Sequence, residues 1–177
     1  MRPGAPSDYL TAYTVDRAGH LGAIRHSGGN ETVYLYDLAQ PDAFRWDDLL
    51  EVRENSLLGE APIVTRYHRD PKFGQVRALV DPEGKLTLYR YDHDELNRDR
   101  DLNGDGIVDG VGGNVTLATP PAVPVDGGAE VSPTTESSYG PGGRLESQRD
   151  ANGHATAFEY FAEPAKAGYV KKVIRDP

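Results

Sequence analysis

The sequence predicts an all-β protein made of antiparallel β-hairpin repeats that form a curved sheet. Three observations carry this. First, Gly84-x-x-Thr87-x-Tyr89-x-Tyr91-Asp92 recurs as Gly29-x-x-Thr32-x-Tyr34-x-Tyr36-Asp37 and as Gly153-x-x-Thr156-x-Phe158-x-Tyr160. Second, alternation places the Thr and both aromatic side chains of each copy on one face of a strand. Third, 20 Gly, 13 Pro and 10 Tyr suit a turn-rich, aromatic β chain, and 37% hydrophobic residues is lean for a compact globule.

Each repeat element follows from local chemistry. Asp81-Pro82-Glu83-Gly84 is a turn: an Asx acceptor first, Pro second with its φ preset, Gly fourth. Partial copies keep Thr-x-Tyr and the acid at Thr11-x-Tyr13-x-Val15-Asp16 and Thr65-x-Tyr67-x-Arg69-Asp70, and Ser137-x-Tyr139 is a further trace. A shorter aliphatic strand follows Gly19, Gly74 and Gly143, marked by Leu21, Val76 and Leu145 two places on. One unit is thus a Tyr strand, a Gly turn, an aliphatic strand and a second turn. The 21 residues from Thr11 to Thr32 and 22 from Thr65 to Thr87 fit that content. Adjacent Tyr strands are expected to bring their aromatics into rows.

The phrases Asp-Pro-x-Gly-x-x-Thr-x-Tyr-x-Tyr-Asp and Gly-x-Val resemble the RHS/YD-repeat family, over roughly residues 9–92 and 137–177. That family includes bacterial rearrangement-hotspot toxins, cocoon-forming components of toxin complexes, and teneurins. The resemblance implies a β-sheet spiralling into a hollow shell that encloses a polypeptide, often a toxin. The implied role is a structural wall segment. The implied partners are further repeats of the parent chain or a neighbouring subunit, together with an enclosed C-terminal effector. The implied compartment is secreted or bacterial cell surface.

In chain order, residues 1–8 are Pro/Gly/Ser-rich and read as loose. Residues 9–92 read as repeats with an insertion at 38–64. Within it, Trp46 and Leu50 fit one helix face with Asp42 as cap, but the run 45–52 resembles the family's extended Arg-Asp-x-Leu-Leu segment, and we read a strand. Trp46 reads as a packing anchor. Residues 93–136 read as a second insertion, with 118–138 as a loop or extended crossing segment. Residues 137–177 resume the repeat. Val173-Ile174-Arg175-Asp176-Pro177 resembles Leu79-Val80-Asp81-Pro82 stopped at its turn, so a fragment is expected, with a frayed terminal repeat as the alternative.

The second insertion holds Asp101-Leu102-Asn103-Gly104-Asp105-Gly106-Ile107-Val108-Asp109, which fits D-x-[DN]-x-[DN]-G with an acid at the ninth place. A hard cation needs six to eight oxygens. Asp101, Asn103, Asp105 and Asp109 would supply side-chain oxygens and Ile107 its carbonyl, with Gly106 permitting the bend. Gly112 stands where an EF-hand would have its bidentate Glu, and no helix pattern flanks the loop. The expectation is therefore a Ca2+ loop on a β scaffold, completed by Asp99 or else Asp94. The plain alternative is a solvated acidic turn.

Other chemistry is missing. There is no G-x-S-x-G, H-E-x-x-H or G-x-x-x-x-G-K-[ST], and the five His fall at predicted turns or strand flanks, so no enzyme is expected. A net charge of −9 argues against nucleic acid and anionic membranes. No apolar run is long enough to span a membrane, zero Cys excludes disulfides and thiolate metal sites, and an export signal is expected outside this chain. The alternative function is an extracellular adhesion or ligand-binding module using Trp46 and exposed tyrosines.

Overall fold

The computed structural model describes residues 10–39, 47–56, 58–70, 74–95, 113–125 and 127–176, which divide into two compact units, Met1–Lys85 and Leu86–Pro177. In the first unit β1 (Ala12–Val15), β2 (Leu21–Arg25), β3 (Glu31–Tyr36), β4 (Leu49–Asn55), β5 (Ile63–Arg69) and β6 (Val76–Val80) pair in sequence order, all antiparallel. In the second, β7 (Leu86–Tyr91), β8 (Val115–Thr119), β11 (Thr135–Gly140), β12 (Arg144–Arg149), β13 (Ala155–Tyr160) and β14 (Val170–Arg175) do the same. A two-stranded ribbon, β9 (Val123–Pro124) with β10 (Glu130–Val131), branches off between β8 and β11. One helical turn, α1 (Asp92–Glu95), follows β7.

The architecture is all-β and antiparallel, as the repeat predicts. Four of its turns share one geometry. In 16–20, 26–30, 81–85 and 150–154 the fourth residue donates its N–H to the first residue's carbonyl, and the first donates to the fifth's carbonyl. The fourth residue is always a left-handed glycine: Gly19, Gly29, Gly84 and Gly153, with φ of 94, 83, 79 and 88°. This is the three-residue hairpin loop that ends in a glycine bulge, where a Cβ would strain the backbone. In three of the four, an aspartate in first place (Asp16, Asp81 or Asp150) also accepts two backbone N–H groups through Oδ1.

A second regularity lies at the end of each Tyr strand. The register shifts at Thr14/Val15, Leu35/Tyr36, His68/Arg69, Arg90/Tyr91, Ser138/Tyr139 and Glu159/Tyr160. Each shift is a β-bulge that lets one extra residue into the partner strand, bends it and increases local twist. It sets Val15, Tyr36, Arg69, Tyr91, Tyr139 and Tyr160 opposite an aliphatic residue: Leu21, Leu49, Val76, Val115, Leu145 and Val170, respectively. The aliphatic residue two places after the glycine thus has a fixed place in the register, opposite an aromatic at Tyr91, Tyr139 and Tyr160 and opposite Val15 or Arg69 elsewhere.

Two expectations are corrected. Within each unit the tyrosines do not form Tyr–Tyr rows, because an aliphatic strand separates neighbouring Tyr strands. Tyr34 faces Val52, and Tyr67 faces Leu79. The segment 118–138 is not one crossing loop either. It contains the end of β8, the β9–β10 ribbon and the start of β11. The 45–52 run resolves in favour of strand where it is described, since β4 begins at Leu49.

Burial is thin. Among the described residues only Ala78, Tyr91, Asp70 and Asp92 are buried among the apolar and charged side chains, and none is below 2% exposed. Leu35, Leu86, Leu88, Val173 and Ile174 remain exposed on strands.

Candidate functional site

Every proposed cation ligand on the Asp-rich loop (Asp99, Asp101, Asn103, Asp105, Ile107 and Asp109) lies outside the described residues, as does Trp46. The base of that loop is described, and it has the form of an ordinary repeat turn that has been opened. Asp92 N–H donates to the Asn114 carbonyl at 2.9 Å, as Asp81 N–H does to Lys85. Gly113, at φ 82°, occupies the place of Gly84. The Asp92 carboxylate accepts the backbone N–H of Gly113 at 3.3 Å and of Asn114 at 3.2 Å, and Asn114 Nδ2 at 2.8 Å. Residues 93–112 thus take the place of the two middle residues of a turn that keeps its first-to-fifth backbone bond, while the Gly113 N–H turns to the Asp92 carboxylate.

Two consequences follow. The aspartate of the Tyr-Asp pair holds the loop's base, so Asp92, at 4% exposure, is structural. Asp94, the alternative completing ligand, directs Oδ2 to the Tyr91 N–H at 2.9 Å. Sequence reasoning missed Gly113, Asn114 and β8. The signal was present as Gly113-x-Val115, the same glycine-plus-two spacing as Gly74-x-Val76.

The first insertion closes similarly, with Asp37 N–H on the Asp48 carbonyl at 2.9 Å. Side chains then lock it. His20 Nδ1 meets Asp16 Oδ2 at 3.0 Å, its Nε2 meets Asp47 Oδ1, and its ring lies 4.6 Å from that of Tyr36. The Asp16 hydrogen bond raises the His20 pKa; desolvation opposes this and Asp47 adds to it. Desolvation pushes Asp16 up, but the His20 backbone and ring and the Ala18 N–H outweigh it and hold the carboxyl low. Burial, then the charge of Asp16, raises the Tyr36 phenol. In the imidazolium form both ring nitrogens donate, tying the β1–β2 turn to the β3–β4 loop.

Arg69 performs a parallel task. Its Nε donates to the Leu49 carbonyl at 2.9 Å, one terminal nitrogen donates to the Gly74 carbonyl at 2.8 Å, and the same nitrogen stands 3.7 Å from Asp48. A Cβ on Gly74 would meet the Asp48 carboxylate at 2.8 Å, so the glycine serves both backbone sign and space. None of these groups surrounds a reactive centre. No cluster of three or more metal-competent side chains occurs among the described residues, and no described helix is long and apolar enough to cross a membrane.

No family model matches the chain, and neither does any curated protein. Solved structures do. A crystal structure of TcdB2-TccC3-Cdc42 aligns with 94% of this chain at 15% identity and a TM-score of 0.62. TcdB2-TccC3 alone aligns with 94% at 15% identity and 0.60. The structure of a Tc holotoxin pore from Photorhabdus luminescens carrying TccC3-D651A aligns with 85% at 15% identity and 0.55. The chain spans only 7–8% of those chains' length. At this identity the likeness is one of fold: the chain has the all-β fold found in these toxin-complex structures.

Proposed function

We propose that this chain is a stretch of structural wall in an RHS/YD-type shell that encloses or presents a polypeptide. One observation carries the reading. Each unit is a single antiparallel layer with the same turn and the same bulge in unit after unit, and large apolar side chains stand exposed on its strands. A repeat of this kind gains stability by stacking neighbours rather than by closing its own core. The fold likeness to TcdB2-TccC3 over a small share of a much longer chain supports it.

In this reading the partners are further repeats or a neighbouring subunit, together with an enclosed effector. The compartment is extracellular or cell-surface, and the wall does no chemistry. The test is electron cryomicroscopy with protease treatment of the complete parent protein. Residues 12–175 are expected as consecutive strands of a closed wall around a protected polypeptide. A freestanding module with solvent on both faces and nothing protected would end the reading.

The acidic insertion is, in the same proposal, a calcium-ordered surface loop held by Asp99, Asp101, Asn103, Asp105, Ile107 and Asp109. Six carboxylates within sixteen residues, from Asp94 to Asp109, repel one another without a cation. Binding of order 10⁻⁴ to 10⁻³ M is expected, as in extracellular modules. Calcium should slow protease cleavage near Asn103, and D101A/D105A should abolish the slowing. Equal cleavage with and without calcium would remove the cation from the proposal but leave the wall intact.

A further inference from the structure

One face of the second unit carries a charge row that no described group satisfies. Arg90 on β7 pairs with Leu117 on β8, Leu117 with Glu136 on β11, Glu136 with Arg149 on β12, and Arg149 with Ala155 on β13. Cross-strand partners share a face, so the five side chains form one line across the sheet. Arg90, Glu136 and Arg149 are exposed. Although Glu136 and Arg149 stand directly opposite each other, no side-chain hydrogen bond or ion pair joins them, or Arg90, to another of the described residues. In the first unit, by contrast, Arg53 and Arg66 both close on Glu51, at 2.6 and 3.0 Å.

The row borders a cleft of about 430 Å³. Its floor is low because small residues fill it: Ser138 and Ser147, bonded to each other at 2.7 Å, and Ala155. The charges across the cleft run plus, minus, plus. Strands lie about 4.8 Å apart, so Arg90 and Arg149, three strands apart, are about 14 Å apart. An extended peptide rises about 3.4 Å per residue, so side chains at positions i and i+4 on one face are also about 14 Å apart. The residue at i+2 then falls close enough to Glu136 for a lysine stem to reach it.

The geometry points to a docking cleft for an extended peptide segment of pattern acid-x-base-x-acid, laid across the strands with its carboxylates on Arg90 and Arg149 and its cation on Glu136. The complement is one of charge order rather than net charge, which suits a protein of net charge −9. This does not depend on the wall reading, since the cleft is open in the chain alone.

The test uses the full chain, isotope-labelled, and two synthetic peptides at low ionic strength: Ser-Glu-Ser-Lys-Ser-Glu-Ser and its charge reversal Ser-Lys-Ser-Glu-Ser-Lys-Ser. The first should give saturable amide shifts at Leu117, Ser138, Ser147 and Ala155, and bind about five- to tenfold tighter than the reversal. The triple variant R90E, E136K and R149E should invert that preference, and about 0.5 M salt should erase it. Equal binding of the two peptides, shifts located elsewhere, or a triple variant with unchanged preference would overturn the assignment. These substitutions are exposed, and a retained amide spectrum separates lost binding from lost fold.

Discussion

The two units use the same turn and the same bulge, yet use some of their charges differently. The first ties several of them to its loops. His20 joins Asp16 to Asp47, Arg69 joins Leu49 to Gly74, and Arg77 meets Asp70 at 2.7 Å. The second leaves Arg90, Glu136 and Arg149 open along one row and concentrates its buried polar contacts at Asp92. The difference teaches that the repeat specifies backbone geometry, while the outward positions are free to cross-link loops or to meet something else.

The largest expected effect breaks the base of the acidic loop. Asp92→Ala removes the acceptor of three N–H groups at a buried site and should cost about 2–4 kcal/mol by urea unfolding. The corresponding exposed turn change, Asp150→Ala, should cost only about 1 kcal/mol because water replaces the lost acceptor. Equal losses would show that the opened turn is no more dependent on its aspartate than a closed one.

Next comes the buried pair of the first unit. Asp70, at 7% exposure, accepts both Nε and a terminal nitrogen of Arg77. Asp70→Ala leaves a partly buried guanidinium and should cost about 1–3 kcal/mol in the same measurement. The shared turn comes third. Gly84→Ala and Gly153→Ala force a Cβ into the left-handed region and should each cost about 1–2 kcal/mol. Gly28→Ala, with open space and no left-handed φ, should be neutral or stabilising by about 0.5 kcal/mol.

The smallest effect is pH dependence at the first unit's clamp. The folded His20 pKa lies above its ordinary 6.5. Its contribution is therefore complete below the unfolded pKa and fades as pH rises through the raised folded value. Asp16 lies below its ordinary 3.8, so its contribution is present above that value and is lost as pH falls through the lowered one. Unfolding midpoints should thus drop modestly from pH 6 to pH 8.5, and His20→Gln should flatten that slope. An unchanged slope in the variant would remove His20 as its source.

Much of the fold was legible because its rules are local. A glycine four residues into a turn, an Asx acceptor at its start and a Thr-x-Tyr alternation act within a few residues, so reading them needs no tertiary information. The two inserted strands were harder. β8 begins two residues after Gly113, but its aspartate lies 21 residues upstream, at Asp92, and short-range pattern reading breaks across that gap. The charge row was not legible at all. Arg90, Glu136 and Arg149 have no sequence spacing in common and meet only through the register of three strand pairings.

The chain's own order of residues determined that it is an antiparallel, hairpin-built β protein, since turn chemistry and side-chain alternation are properties of neighbouring residues. Only the tertiary structure decided which residues face one another. It interposed an aliphatic strand between Tyr strands, placed a bulge at every closing aromatic, closed the acidic loop on Asp92, and aligned charges from separate strands. The physical reason is that register is a long-range agreement among hydrogen-bonded ladders, in which a shift of one residue moves every side chain to the opposite face.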